Sequence, residues 1–210
     1  MDEALARIKA YRVRGTVERV TRSEPELFPA QGEERFRVAL MDFGVKANMI
    51  RCLQERGVAY DWVSHEAAAT MDDCRQVEQV LEAPVCKNLF LCNRQKTRFT
   101  LLLMPGNKPF HTRDITAQLQ CSRLSFAGGD CMERLLHASP GSASVMGLLF
   151  DGEHRVRLAI DRDLLKNEWF GCHPCRNTCT LRMKTHDLLY NLLPAWGVRP
   201  DFVELPEESE

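Results

Sequence analysis

Lys87 is the residue whose surroundings most strongly suggest chemistry. It lies in residues 83–91, an apolar stretch typical of a β-strand that is interrupted only by Lys87 and Asn88. Burying an ammonium group without a partner is costly, so a lysine in such a stretch needs a structural or chemical reason. One interpretation is a lysine at a strand end that keeps its ammonium group in water. The other is a fixed positive charge that serves binding or catalysis.

Three cysteines with a histidine form the second group that could do chemistry. Cys172, Cys175 and Cys179 have the spacing C-x-x-C-x-x-x-C, and His173 follows the first of them. Thiolates at this spacing can bind zinc or an iron–sulfur cluster, but a closed zinc site is usually completed by a second C-x-x-C pair, which the sequence lacks. In an alternating strand Cys172 and Cys175 would also point to opposite faces. We therefore predict no metal and no other cofactor, and interpret these cysteines as packed or redox-sensitive thiols.

The elements that must position these residues alternate between strands and helices. Residues 87–91 and 98–104 form one predicted β-hairpin, and residues 145–150 and 155–160, joined by Asp151-Gly152, give the strongest hairpin signal. This mixture predicts an α+β fold with a mixed, mostly antiparallel β-sheet and surrounding helices. Further strands are expected on both sides of 172–179 and at 202–203, and helices at 47–55, 70–80, 112–120, 130–138 and 186–193.

Length and composition restrict the class of protein. A chain of 210 residues is long enough for one well-buried domain with an extension, or for two small domains. No apolar run approaches the roughly eighteen residues that a membrane span needs, and the N-terminus lacks the pattern of a signal peptide. We therefore expect a cytoplasmic protein with no membrane contact. Its nine cysteines, an odd number, agree with reduced thiols.

The charge distribution excludes a generally basic nucleic-acid-binding protein, because the net charge is −1. Residues 83–113 differ from this average, since they contain basic but no acidic residues, whereas the C-terminus is acidic. This basic segment is either a face for an anionic partner or the solvated rim of a hairpin. Its basic residues are Lys87, Arg94, Lys96, Arg98, Lys108 and Arg113.

About the first quarter of the chain is similar to a known subunit. Residues 7–18 and 38–57 resemble a piece of the small, glutamine-hydrolysing subunit of carbamoyl-phosphate synthase. Amidotransferases need a nucleophilic cysteine on a glycine-flanked turn, and no cysteine here has a Gly-x-Cys-x-Gly setting. We predict that residues 1–45 are an N-terminal extension without an active site, that 46–206 form the main domain and that 207–210 are an acidic tail. One hypothesis is that the extension docks on the synthase's large subunit.

A series of short motifs extends over residues from about 49 to 206. They are residues 53–60 with His65 and Thr70, residues 87–91, residues 124–126, residues 140–142 with Gly147, Leu148 and Asp151, residues 156–164 with Asp161, and His173-Pro174 with Asn177. In their order and spacing these motifs resemble those of the YbaK-type aminoacyl-tRNA deacylases, and among them the free-standing prolyl-tRNA editing proteins. The resemblance implies the fold of the YbaK and prolyl-tRNA synthetase editing domains.

The resemblance implies hydrolysis of the ester that joins a wrong amino acid, typically alanine, to tRNA(Pro). Family members are thought to use no metal and to recruit the substrate's own ribose hydroxyl to help activate water. Lysine is a poor base at neutral pH because its reference pKa is about 10.4. We therefore assign Lys87, as the catalytic residue, to electrostatic positioning of the terminal adenosine or the carbonyl oxygen. The implied partners are mischarged tRNA(Pro) and, as a second candidate, prolyl-tRNA synthetase.

The substrate-binding residues that the resemblance implies are His65, Asn88, Gly141, Ser142, His173 and Asn177. Gly141 would let the backbone approach the amino acid, although residues 140–142 also fit an ordinary Pro-Gly turn. His173 likewise fits a histidine held by the backbone at a strand end. The family often has proline and phenylalanine where this chain has Val145 and Met146, which leaves the size of the amino-acid pocket open.

A second class of function keeps the same fold. It is a binding or regulatory module that recognises charged tRNA or a small amino acid without hydrolysing an ester. Tight binding without turnover across a panel of aminoacyl-tRNAs would favour it over the deacylase.

Overall fold

A computed structural model describes residues 45–66 and 71–207 of the chain. The chain divides into two units, Met1–Asn48 and Met49–Glu210, and every strand described lies in the second unit. The predicted extension at residues 1–45 lies almost wholly outside the described residues. Its boundary therefore stays a prediction, as does that of the acidic tail.

Lys87 is the first residue of strand β2 (Lys87–Asn93), which belongs to a five-stranded sheet. The sheet consists of β2, β3 (Phe99–Met104), β4 (Leu124–Phe126), β5 (Val156–Asp161) and β8 (Asp201–Val203). The spatial order is β4-β2-β3-β5-β8. Strand β2 pairs antiparallel with β3 and β4, whereas β5 pairs parallel with β3 and β8. The sheet is therefore mixed, with its antiparallel half around β2.

A smaller antiparallel sheet lies beside the first. It contains β1 (Tyr60–Ser64), β6 (Trp169–Cys172) and β7 (Cys179–Lys184) in the order β1-β7-β6. The two sheets meet at a parallel bridge between Val85 and Gly171, where Cys86 N donates to Gly171 O at 3.1 Å. A Cβ atom at Gly171 would lie 3.0 Å from Pro84 O, so a glycine permits this close approach. The bridge brings the loop after β6 next to the start of β2.

The helices cover the sheets. Ile115 of the third helix packs with Leu91, Leu102 and Ala159 in a buried apolar core on one face of the large sheet. No helix in residues 45–66 or 71–207 is long and apolar enough to cross a membrane. The α-helices are α1 (Val45–Glu55), α2 (Met71–Leu81), α3 (Thr112–Gln118) and α4 (Gly129–Leu136). Two 3₁₀ helices follow, at Val145–Phe150 and Arg162–Lys166. The last helix has α turns at Thr185–Asp187 and Leu193–Ala195 on either side of a π turn at Leu188–Leu192.

The predicted α+β fold with a mixed, mostly antiparallel sheet is confirmed. The β2–β3 hairpin, the strands on both sides of residues 172–179 and the strand at 202–203 are present, and each predicted helix has a counterpart. The helix predicted at 186–193 contains the π turn, and Pro194, which cannot donate a backbone hydrogen bond, follows it.

The strongest predicted hairpin, at residues 145–160, is wrong. Val145–Phe150 is a buried 3₁₀ helix, and Ser144 caps it by accepting a hydrogen bond from Met146 N at 3.1 Å. A short apolar run cannot be assigned to strand or helix from periodicity alone. The neighbours of β5 are instead β3 and β8, both of which come from distant parts of the sequence.

Gly147 gives a test of this 3₁₀ helix. A Cβ atom there would lie 2.7 Å from Leu136 O, whereas one at Gly152 would have no neighbour within 4 Å. We expect Gly147→Ala to lower the free energy of unfolding by about 1–3 kcal/mol through overpacking, and Gly152→Ala to change it by less than about 0.5 kcal/mol. Urea unfolding measures both. Equal stability of the two variants would contradict the packing described.

Candidate active site

A cleft of about 310 Å³ lies at the start of β2, next to the bridge between the sheets. It brings together Lys87, Asn88, Gly141 and His173, which come from three separate segments of the chain. The structure therefore places four of the seven predicted site residues around one cleft. The rest of the lining is largely apolar and consists of Cys74, Val85, Cys86, Leu89, Phe90, Phe126, Ala127, Met132, Pro140 and Ala143.

The Lys87 ammonium group is held in place by a backbone carbonyl. Lys87 is half-buried, and its Nζ donates a hydrogen bond to Lys108 O at 2.9 Å. An ammonium group has three N–H donors. One bond to the protein fixes its position and leaves the others for a ligand. The side chain therefore has a defined position in the cleft, unlike a lysine that is held only by water.

Lys108 fixes the loop that provides this carbonyl. Its side chain is only 6% exposed, and Nζ lies 3.0 Å from Asp161 Oδ2, 2.5 Å from Asp163 Oδ2 and 2.9 Å from Leu205 O. Asp161 at the end of β5 is also buried. Lys108 therefore joins the loop after β3 to the end of β5 and to the segment after β8. It does not belong to the exposed basic face that was considered from the sequence.

In this cluster the positive charge of Lys108 lies next to the carboxylates of Asp161 and Asp163. Burial opposes the charge of Lys108, but hydrogen bonds and ion pairs with Asp163 and Asp161 outweigh it and raise the pKa of Lys108. Hydrogen bonds from Lys108 and Lys166 lower the pKa of Asp163 to about 2. The Lys108 ammonium group and the Asp163 carboxylate are therefore ionised at neutral pH.

Asn88 presents a buried acceptor that has no hydrogen-bond partner among the described residues. Its Nδ2 donates to Cys86 O at 3.1 Å and to Cys86 Sγ at 3.2 Å. A carbonyl oxygen can only accept, so this contact fixes which side of the amide is which. Asn88 Oδ1 is then buried with no hydrogen-bond partner within the part of the chain that is described. Since buried polar groups are nearly always paired, this oxygen is suited to accept from a bound ligand.

His173 is held by the backbone and also lines the cleft. It therefore fits both interpretations made from the sequence, a histidine held at a strand end and a residue of the substrate cleft. Its Nδ1 lies 3.0 Å from Cys179 O and 3.1 Å from Thr180 Oγ1. Thr180 Oγ1 lies 2.8 Å from His65 Nε2, and His65 Nδ1 lies 2.6 Å from Glu66 O. Because the carbonyls accept, we assign the proton of each ring to Nδ1. Burial lowers the pKa of His173, so the ring is neutral at pH 7 and its Nε2 can accept a hydrogen bond.

The other predicted residues lie around the cleft and are not among its lining residues. His65 reaches it through Thr180 and His173. Ser142 is buried, and its hydroxyl is 3.3 Å from that of Ser139.

Gly141 has φ +82°, a left-handed conformation that favours glycine, and a Cβ atom there would be 3.8 Å from Asn177 Nδ2. The Asn177 side chain therefore lies next to Gly141. Val145 and Met146 are fully buried and do not line the cleft, so they do not set its size directly.

The cysteines near the cleft are buried thiols. Burial raises the pKa of Cys86 to about 12 and also raises the pKa of Cys172 and of Cys175. These groups are therefore protonated at neutral pH, whereas nucleophilic or metal-binding cysteines are thiolates. Among the described residues, no group of three histidine, cysteine, aspartate or glutamate side chains is placed to hold a metal ion. The prediction that no cofactor is used remains a prediction.

Sequence analysis missed two residues of this site. Lys108 lies in a polar loop between Asn107 and Pro109, a setting that gives no sign of burial. Thr180 lies within β7, and only the strand pairing shows that it connects the two histidines. Asp161, the buried partner of Lys108, was part of a predicted motif but had no role.

Comparison with known proteins gives a consistent result. The aminoacyl-tRNA editing domain family matches residues 65–190. The prolyl-tRNA editing protein ProX of Acetoanaerobium sticklandii is 24% identical over 148 residues, which cover 70% of this chain and 90% of that protein. The prolyl-tRNA synthetase associated domain-containing protein 1 of Mus musculus is 24% identical over 149 residues, with 69% and 88% coverage.

A solved structure has the same fold. The crystal structure of a candidate trans-editing enzyme for prolyl-tRNA synthetase superposes with a TM-score of 0.57 at 15% identity, covering 77% of this chain and 98% of that one. The resemblance of residues 7–57 to carbamoyl-phosphate synthase receives no support from these matches, and most of it falls on residues outside the described part of the chain.

The Lys108 cluster leads to a prediction about stability. Lys108→Met would leave Asp161 buried without its counter-ion, so we expect the free energy of unfolding to fall by about 3–5 kcal/mol. Lys184→Met is the matched control, because Lys184 pairs with Glu168 at 3.1 Å on the surface and its loss should cost less than about 1 kcal/mol. Denaturant unfolding compares the two. A small loss for both variants would show that the buried cluster does not stabilise the fold.

Proposed function

The chain belongs to the aminoacyl-tRNA editing domain family, and on that premise we propose that it is a trans-editing deacylase that hydrolyses mischarged tRNA(Pro), with alanyl-tRNA(Pro) as the first candidate substrate. The observation that carries this proposal is the convergence of Lys87, Asn88, Gly141 and His173 on one cleft. The similarity to a prolyl-tRNA editing protein supports the choice of tRNA. Prolyl-tRNA synthetase is a second candidate partner.

In the proposed reaction, water adds to the carbonyl carbon of the ester. The bond between that carbon and the ribose oxygen then breaks, which releases the free amino acid and a tRNA with an intact 3′ end. An aminoacyl ester is already reactive, so the protein has chiefly to position it and to stabilise the oxyanion that develops. The ammonium group of Lys87 fits this task because Lys108 O fixes its position while leaving N–H donors free.

Asn88 fits the recognition of the substrate's α-amino group. An aminoacyl ester carries a free ammonium group close to its carbonyl, and Asn88 Oδ1 is a buried acceptor without a partner in residues 45–66 and 71–207. Hydrogen bonds to charged groups contribute about 1.5–3 kcal/mol. This contact would orient the ester and would distinguish a free amino acid from one that is blocked at nitrogen.

The lining near Asn88 fits a small side chain. Phe90, Ala143 and Met132 contribute apolar surface to the cleft, and His173 adds a neutral hydrogen-bonding group. An alanyl methyl group gains from such surroundings without needing a polar partner.

Lys87→Ala tests the catalytic assignment. We expect kcat/KM for the deacylation of alanyl-tRNA(Pro) to fall by about 10²–10³-fold, as on removal of one oxyanion donor. Lys184→Ala removes an exposed lysine from β7 and should leave the rate unchanged. Release of labelled alanine gives the rates, and unfolding curves show that both variants are folded. Equal rates for wild type and Lys87→Ala would remove Lys87 from the mechanism.

Asn88→Leu tests the recognition of the amino group. The wild type should hydrolyse alanyl-tRNA(Pro) about 10–100-fold faster than N-acetylalanyl-tRNA(Pro), and the variant should lose most of this difference. The blocked substrate is the control, because it keeps the ester and the RNA. A wild type that hydrolyses both substrates equally fast would exclude this role for Asn88.

A further inference from the structure

The cleft has two sides, which are separated by β2. Successive side chains of a strand point to opposite faces of its sheet, so Lys87 and Leu89 lie on one face, and Asn88 and Phe90 on the other. The contacts agree with this alternation. Asn88 reaches Cys86 on its own face, whereas Leu89 packs against the core that contains Met104, which pairs with Lys87.

Phe126 lies on the Lys87 face. In the register of β2 and β4 it pairs with Leu91, so both side chains share the face of Lys87 and Leu89. Phe126 lines the cleft, yet its side chain is 64% exposed. Strand β4 is at the edge of the large sheet, so this ring stands at the open margin of the cleft.

Phe110 supports the ring of Phe126. The two ring centroids are 5.9 Å apart at an interplanar angle of 62°, an edge-to-face contact. Phe110 is partly buried against the core beneath the sheet, which makes it a firm support. It also follows Lys108 by only two residues, and the carbonyl of Lys108 holds the Lys87 ammonium group. The aromatic pair and the fixed positive charge therefore belong to the same side of the cleft.

We propose that the Phe110–Phe126 pair is a stacking site for the unpaired base at the 3′ end of the substrate RNA. This inference rests on the proposed function. An exposed aromatic ring and a cation on the same face of one cleft are a combination that binds single-stranded nucleic acid, where the ring stacks on a base and the cation faces the sugar and phosphate. The ester would then pass the start of β2, so that the aminoacyl group lies on the other face, against Asn88 and His173.

The test uses an RNA that cannot be hydrolysed. The probe is tRNA(Pro) with alanine attached to its 3′ end through an amide and with 2-aminopurine in place of the terminal adenine, because stacking quenches the fluorescence of 2-aminopurine. We expect wild type to quench the probe on binding. Phe126→Leu, which keeps an apolar side chain but no ring face, should leave the probe unquenched and raise Kd by about 5–100-fold. Phe126→Tyr should behave as wild type.

Phe202→Leu is the matched control, because Phe202 is another exposed phenylalanine, 40% accessible on β8, and does not line the cleft. It should change neither Kd nor quenching. Wild-type affinity and quenching in Phe126→Leu would overturn the proposal, as would a wild type that does not bind the probe. A change in which amino acid is removed, without a change in quenching, would place the amino-acid side chain at Phe126 instead.

Deacylation by wild type is measured separately. Quenching without any hydrolysis of alanyl-tRNA(Pro) would support the stacking site while rejecting the deacylase function. Hydrolysis of alanyl-tRNA(Pro) without quenching would support the deacylase function while rejecting the stacking site.

Discussion

The buried ion cluster of Lys108 is the interaction on which the site depends. Three segments far apart in sequence meet at its ammonium group: the loop after β3, the end of β5 with Asp161 and Asp163, and Leu205 after β8. A buried ion pair adds little net stability compared with apolar packing, but it leaves few alternative arrangements once it has formed. Its value here is positional, since it fixes the carbonyl that holds Lys87. The Lys87 ammonium group, which we propose as the catalytic charge, is thus oriented by the backbone of a second lysine, whose own side chain pairs with two carboxylates.

The contact between the two sheets is the second constraint. Gly171 N donates a hydrogen bond to Pro84 O and Gly171 O accepts one from Cys86 N, and this contact brings His173 to the start of β2. Side chains from the large sheet and from the loop of the small sheet then face each other across a cleft. Lys87 and Asn88, although adjacent in sequence, serve different faces of β2. The start of this strand can therefore contact two chemically different parts of a single ester substrate.

Sequence reasoning predicted the parts of this site that depend on local pattern. The β2–β3 hairpin follows from two apolar runs around a polar turn, and Lys87 is conspicuous because it interrupts one of them. Lys108 was missed because its partner Asp161 lies far along the chain, and only the parallel pairing of β3 with β5 brings them together. Residues 145–150 were predicted as a strand because the turn signal Asp151-Gly152 joins this apolar run to the strand at 155–160. The unpaired oxygen of Asn88 is invisible in a sequence, since it results from the direction of a single amide.

The protonation of Cys86 bears on the chemistry proposed for the cleft. A thiolate next to an aminoacyl ester would attack it and form an acyl-enzyme, as in cysteine hydrolases. Cys86 lines the cleft, but burial raises its pKa to about 12, so the thiol is protonated at pH 7. Its sulfur instead accepts a hydrogen bond from Asn88 and helps to hold that amide. In the reaction that we propose, water therefore attacks the ester directly and Lys87 is the stabilising charge, because burial makes Cys86 unreactive.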